Sequence, residues 1–350
     1  LGIATAISIL MTGLYLRDAL NWLMEVQFER VQRQDVTLVF NQPRPARTRY
    51  ALTQLPGVLR SEVFRSVPVR LRFQHYHHRL AVLGVDPEGS LRQLLDRQLN
   101  SVNLPPDGLV LTQKLGEILH VKPGQTLTLE VLESERPVRQ VQVVGIVDEF
   151  LGTSAYMDLA ALNRLMREGR TVSGAYLAID PHQSDVLYQE LKQIPTVEGV
   201  SFREVMLRSF QEVTGESIRV MNGVVVVFAM VITLSVIYNS ARIALSERGR
   251  ELASLRIMGF SQQEISVILL GEQGILALMA IPVGYGLGIG LSALMSQAFN
   301  TELYRMPFII TKATYGYTFG VVVIGAVVSG GLIYRQLSQL DLIAVLKTRE

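Results

Sequence analysis

The sequence predicts an α+β membrane protein with four transmembrane helices, the first of them truncated, and a large extracytoplasmic α+β domain between the first and the second. Three observations lead there. The 350 residues are 49% hydrophobic and 18% charged, too apolar for an ordinary soluble enzyme and too charged to lie wholly in a bilayer. Four apolar stretches have, or nearly have, the ~20 residues that a helix needs to cross. About 200 residues of mixed polarity separate the first stretch from the second, enough for a domain of its own.

The first stretch, residues 1–16, has no basic flank before it and no small-residue cleavage site after it, so it reads as a span and not as a signal peptide. Sixteen residues at ~1.5 Å each reach about 24 Å, short of the ~30 Å hydrocarbon core, so further turns of this helix are expected upstream. Residues 17–218 form the outer domain. Alternation and β-branched runs predict strands at 35–40, 69–73, 79–85, 126–132, 138–147 and 175–179, with turns at 86–89 and 122–124. Helical patterns fall at 47–55, 91–98, 112–119, 158–167 and 184–193, and a long one runs from Phe202 into the second span. One lobe or two would fit this order of elements.

The second span covers 219–241, and its core from Val224 to Ile237 contains no charge. The third covers 264–299 and the fourth 314–335. Three such runs crowd the last third of the chain, which leaves too little polar sequence to cover them in water as buried core helices. The third is longer than a bilayer needs, and its polar opening turns suit the cytoplasmic interface. Within it, Gly284 and Gly288 stand four apart, as do Gly286 and Gly290, a spacing that lets helices approach closely. Pro282 offers either a packing irregularity or a kink that hinges.

Loop charges orient the chain. The connection at 242–263 carries Arg242, Arg248, Arg250 and Arg256 against Glu247 and Glu251, and the tail at 336–350 adds Lys347 and Arg349. Both belong in the cytoplasm by the excess of basic residues. The short outer loop at 300–313 has only Arg305 and Lys312. The long domain translocates whatever its charge.

The most informative stretch runs from Ser240 to Ile265. Leu245, Leu252, Leu255 and Met258 recur at helical spacing, the charged residues occupy the remaining surface, and Gly259 tolerates the positive φ that ends a helix. In isolation this is also what a solvated loop with weak i,i+4 ion pairs looks like. The order Glu247-Arg248, Glu251-Leu252, Leu255-Arg256, Gly259, however, resembles the signature of FtsX-like permeases, and it lies where that family has it, between the second and third of four spans. Two further segments agree. Residues 109–129 followed by 143–147 resemble the MacB-type periplasmic core, and residues 341–350 resemble the tail that closes these permeases, with Leu342 where Pro is usual.

The resemblance implies an ABC transporter permease of the FtsX-like/MacB, type VII, mechanotransmission kind, in a bacterial plasma (inner) membrane. It implies that 242–263 is a coupling helix docking on a cytoplasmic ABC ATPase, with Leu252 and Leu255 as anchors and Arg248, Glu251 and Arg256 fixing the register. Glu247, Arg250, Gly259 and Phe260 complete the coupling set, while Pro282, Gly284 and Gly288 serve packing or hinge motion. A second permease half or copy is implied, as is a periplasmic adaptor, and the chain would be the C-terminal half of a longer two-half permease. Its role would be export or extraction of an amphiphile: a lipoprotein, peptide, lipid or drug. The alternative is an FtsX-like regulator of an extracytoplasmic cell-wall hydrolase, for which the outer domain is large; a ligand receptor is the third reading.

Other classes are disfavoured. The chain has no Cys, which excludes disulfides and thiolate metal sites. A net charge of +2 gives no reason to expect nucleic acid. No Gly-x-x-x-x-Gly-Lys-(Ser/Thr) loop is present, so ATP hydrolysis by that route must come from another polypeptide. His75, His77 and His78 have no acidic cluster beside them and read as a solvated basic strand; Glu272 reads as a snorkelling or ion-paired group near the cytoplasmic end. No catalytic residue, cofactor site or metal site is expected.

Overall fold

The computed structural model describes residues 1–96, 98–133, 135–150, 152–299 and 305–339, with backbone alone at some helical positions between 214 and 269 and at 336–339. Two units divide it: a helical one of Leu1–Asn21, Thr214–Ala298 and the chain from Pro307 onward, and an outer-domain unit of Trp22–Val213 and Phe299–Met306.

Helix α1 (Gly2–Glu25) runs on past Leu16 and passes into a π-helical stretch, Val26–Val31. Arg17 and Asp18, which end the apolar run in the sequence, do not end the helix. The Asp18 carboxylate accepts from the Thr311 N–H at 3.0 Å, the Thr311 hydroxyl at 2.8 Å and the Thr314 hydroxyl at 2.5 Å. A buried charge supplied with three donors is tolerable where an unpaired one is not.

Among the described residues, the outer domain is built on nine strands in two lobes. In chain order they are β1 (Val36–Pro45), β2 (Val58–Phe73), β3 (Tyr76–Val85), β4 (Leu109–Thr112), β5 (Thr126–Val131), β6 (Val138–Val147), β7 (Ala155–Asp158), β8 (Thr171–Ile179) and β9 (Val197–Phe202). Their order is β3-β7-β4-β6-β5-β2-β8-β1-β9, and β2 also pairs with β3. That extra pairing closes β2 to β7 into a six-stranded ring, whose interior holds Val67, Val69, Leu71, Leu109, Leu111, Leu127 and Leu129. The 16-residue β2 is the shared element: its first half pairs with β8 in a four-stranded antiparallel sheet with its own core of Val36, Leu38, Val172, Leu177, Leu187 and Leu191. Where the lobes meet, Arg65 on β2 is 1% exposed and binds the Glu133 and Glu168 carboxylates and the Ser173 hydroxyl.

Helices α2 (Thr48–Leu52), α3 (Gln113–Leu119), α4 (Leu159–Met166), α5 (Ser184–Gln193) and α6 (Arg203–Phe210) fall where helices were expected, with α2 shorter. Among the described residues, the helix expected at 91–98 is absent. Leu91, Leu94 and Leu95 mimic an amphipathic stripe, but the Glu62 carboxylate accepts from the Ser90 and Leu91 N–H groups at 2.8 and 2.9 Å, and Asp96 accepts from Gln98 and Asn100. The Leu91 carbonyl, which a helix would offer to Leu95, accepts from the Arg33 and Gln34 N–H groups at 2.8 and 3.1 Å, and the Leu94 carbonyl accepts from Val102 at 2.8 Å, so the segment is irregular, and Leu91 and Leu94 fill a third core with Phe64, Val85 and Tyr156.

A second π-helical stretch, Gln211–Gly215, leads into α7 (Glu216–Ile257), which is followed by α8 (Gln262–Ala298) and α9 (Lys312–Gln339). Among the described residues, four helices are long and apolar enough to cross a membrane, over Gly2–Val31, Arg203–Ser240, Leu270–Ala298 and Lys312–Arg335. Pro282 is accommodated inside α8. Gly284 and Gly288 face α1 so closely that an added Cβ would stand 2.6 Å from the Ile7 Cβ and 2.7 Å from the Met11 Sδ; Gly286 and Gly290 have nothing within 4 Å. The expected tail motif at 341–350 lies outside the described residues.

Candidate functional site

The segment from Ser240 to Ile257 is not a separate lever between two spans. It is the last part of α7, a single helix of 42 residues that reaches about 63 Å at 1.5 Å per residue, twice the ~30 Å of a hydrocarbon core. The sequence favours continuity, since Ala, Leu, Arg and Glu are strong helix formers and the lone Gly249 costs only about 1 kcal/mol.

The helix then ends abruptly. Gly259 has φ 100°, and the Met258 and Phe260 N–H groups donate to the Ser254 and Leu255 carbonyls at 3.0 and 3.1 Å. A positive φ at this point is what a C-terminal glycine cap requires. One residue later α8 is already being capped: the Glu264 carboxylate accepts from the Ser261 N–H at 2.7 Å, and the Glu264 N–H donates to the Ser261 hydroxyl at 3.3 Å, a reciprocal capping box. The turn between the two helices is therefore short and locked at both ends.

Of the predicted coupling residues, Glu247, Glu251 and Phe260 are exposed and Leu255 is half-buried, on or just beyond the charged end of α7. Met258, beside them, is 68% exposed. Arg248, Arg250, Leu252 and Arg256 lie on the same helix, and their side chains fall outside the description. Gly284 and Gly288 are elsewhere on α8, in the packing of the helical unit, and Pro282 is exposed on the same helix; none of them stands beside the charged end of α7.

Sequence reasoning missed a second set of residues. Arg305, counted there only as a loop charge, donates to Asp148 at 3.1 Å and to Glu117 at 2.8 Å, while its backbone N–H donates to the Phe150 carbonyl at 2.9 Å. Burial alone would raise the Glu117 carboxyl, but the Arg305 hydrogen bond and charge hold it below its ordinary range. The loop between α8 and α9 is thus fastened to the outer domain's own loop at 148–150. No spacing in the sequence signals this, because the partners come from three separate segments. His75 sits in the turn between β2 and β3, where Tyr76 stacks on His120 at 4.1 Å; among the described residues no three His, Cys, Asp or Glu side chains gather as a metal site would need.

Comparison with known proteins agrees with both parts of the chain. Residues 1–216 match the model of the MacB-like periplasmic core domain and residues 223–342 that of the FtsX-like permease C-terminal domain. Among solved structures, the periplasmic region of MacB from Actinobacillus actinomycetemcomitans is similar at 9% identity and a TM-score of 0.36, covering 54% of this chain and 97% of that one. The extracellular domain of the noncanonic ABC-type transporter YknZ from Gram-positive bacteria is similar at 12% identity and a TM-score of 0.33, covering 48% and 98%. No curated protein matches the chain.

Proposed function

The chain belongs to the FtsX/MacB-type family of ABC permeases, and we propose that it couples ATP hydrolysis by a separate nucleotide-binding subunit to motion of its outer domain, driving export or extraction of an amphiphile. A membrane permease with an extracytoplasmic domain, an ABC ATPase partner and assembly in more than one copy follow from the family. The plasma (inner) membrane, a cytoplasmic C-terminus, a periplasmic adaptor and the amphiphilic substrate are our reading.

One observation carries it: the helix that crosses the membrane is the helix that bears Glu247, Glu251 and Leu255. A push at that end moves a rigid rod, because bending it would break main-chain hydrogen bonds without replacement in lipid. Leu252 and Leu255 are the anchors in this reading, and Arg248, Glu251 and Arg256 set the docking register. The match to the MacB-like core supports transport over regulation of a wall hydrolase.

Co-purification with the ATPase encoded beside this chain provides the test. Leu255→Asp and Arg256→Glu should each weaken association by at least ~10-fold, about 1.4 kcal/mol, and abolish stimulation of ATP hydrolysis. Association and stimulation equal to wild type in both variants would sink the coupling assignment.

A further inference from the structure

We infer that a cavity of about 300 Å³ in the outer-domain unit is a binding site for an ammonium-headed amphiphile, with Glu149 receiving the head group. The volume is at the lower end for small-molecule sites, enough for a polar head and several methylenes.

Three segments of the chain build it. Leu23 comes from the end of α1, Val26 and Val31 from the π-helical stretch that follows, and Leu95 and Phe150 complete the apolar wall. A π turn widens a helix by one residue per turn and often marks a functional position. The polar side chains at the cavity are Gln27, Arg92, Glu149, Ser154 and Tyr156. The Tyr156 hydroxyl donates to Glu149 Oε2 at 3.0 Å, whereas Glu149 Oε1 is buried and has no hydrogen-bond partner. A carboxylate oxygen left in that state is costly, and native proteins rarely leave one without a donor from ligand or water.

The missing donor is best supplied by a cation. Arg92 also lines the cavity, but its guanidinium is turned over the Tyr176 ring, 5.8 Å from its centre, leaving Oε1 for a ligand. Burial pushes the Glu149 carboxyl up to about 7, against the lowering by Tyr156 and Arg92, so an arriving ammonium ion stabilises a charge that the empty cavity holds poorly. The apolar wall suits the chain attached to such a head. That the ligand is the transported amphiphile rests on the proposed function.

The wall of the site also touches two other segments of the outer-domain unit. The ring of Phe150 meets Trp22 of α1 edge-on at 4.8 Å, and its carbonyl receives the Arg305 N–H of the loop joining α8 and α9.

Trp22 is the only tryptophan in the chain and so reports on this wall. The full chain in lipid nanodiscs would be titrated with n-hexylamine, n-hexanol and hexanoate while Trp22 emission is followed. The amine should give a saturable shift and the other two should not. Glu149→Gln, which keeps an acceptor for Tyr156, and Val31→Phe, which fills the cavity but keeps the carboxylate, should each weaken the response at least ~10-fold. Half-saturation should also fall from about pH 6 to about pH 8 as Glu149 ionises, because the other titratable groups there do not change: Arg92 stays charged and burial holds Tyr156 neutral. No saturable shift in wild type, an equal shift with hexanol, or a wild-type response in either variant would overturn the assignment. No ATPase takes part, so failure of the coupling test would leave this outcome standing.

Discussion

At the scale of single residues, the outer domain keeps its charges in places that hydropathy does not mark. Glu149 makes a prediction with a definite sign. Its carboxyl is pushed from 4.5 up to about 7 by burial, so between those values the folded chain holds a proton that the unfolded chain has lost. The associated stability is fully present below the unfolded value and disappears as the pH rises through the folded one, a loss of up to about 3 kcal/mol. Glu149→Gln removes the titration. Its thermal midpoint relative to wild type should therefore climb as the pH is taken from about 5 to about 8; a gap that stays constant would show that Glu149 is not held protonated. Neither Glu149 nor Arg65 was legible in the sequence. The strand expected at 69–73 begins at Val58 instead, and the Arg65 within it is neutralised by Glu133 and Glu168 and hydrogen-bonded to Ser173, all distant in the chain. The FtsX-like signature was legible because it is contiguous, with its spacing fixed by one helix.

Secondary-structure elements were read well where a period repeats and poorly where it does not. Six expected strands exist, but β4 and β7 have four residues each, all buried, and so show no alternation to detect. The stripe at Leu91, Leu94 and Leu95 had the right period and the wrong outcome, because the Leu91 and Leu94 carbonyls, which a helix would have offered to its own later N–H groups, accept instead from Arg33 and Gln34 and from Val102. In α8 both Gly-x-x-x-Gly pairs look alike in sequence, and the structure separates them. Gly284 and Gly288 meet Ile7 and Met11, while Gly286 and Gly290 face open space. Gly284→Leu should therefore destabilise the detergent-solubilised protein by about 1–3 kcal/mol through overpacking against α1. Gly286→Leu should be neutral or slightly stabilising, since a helix interior favours Leu over Gly. Equal thermal midpoints for the two variants would mean that α1 and α8 do not pack as described.

For the whole molecule, the connections between spans and outer domain carry the functional reading. Two helices enter the domain through π-helical stretches, Val26–Val31 and Gln211–Gly215, and the loop between α8 and α9 is held on it by Arg305. In the proposed coupling, movement of α7 would reach the outer-domain unit along the chain through Gln211–Gly215, where one unit gives way to the other. The absence of cysteine makes this measurable without altering the background. Spin labels on Tyr50→Cys, 74% exposed on the outer domain, and Ile243→Cys, 50% exposed on α7, would report the distance between them. With the partner ATPase present, trapping it in the ATP-bound state should shift that distance by on the order of 5 Å, the scale of other domain rearrangements. Arg305→Ala, which removes the ion pairs to Asp148 and Glu117, should leave ATPase association intact and broaden or shrink the shift. Identical distance distributions with and without nucleotide would remove the basis for transmission through α7, whatever the ATPase does at its other end.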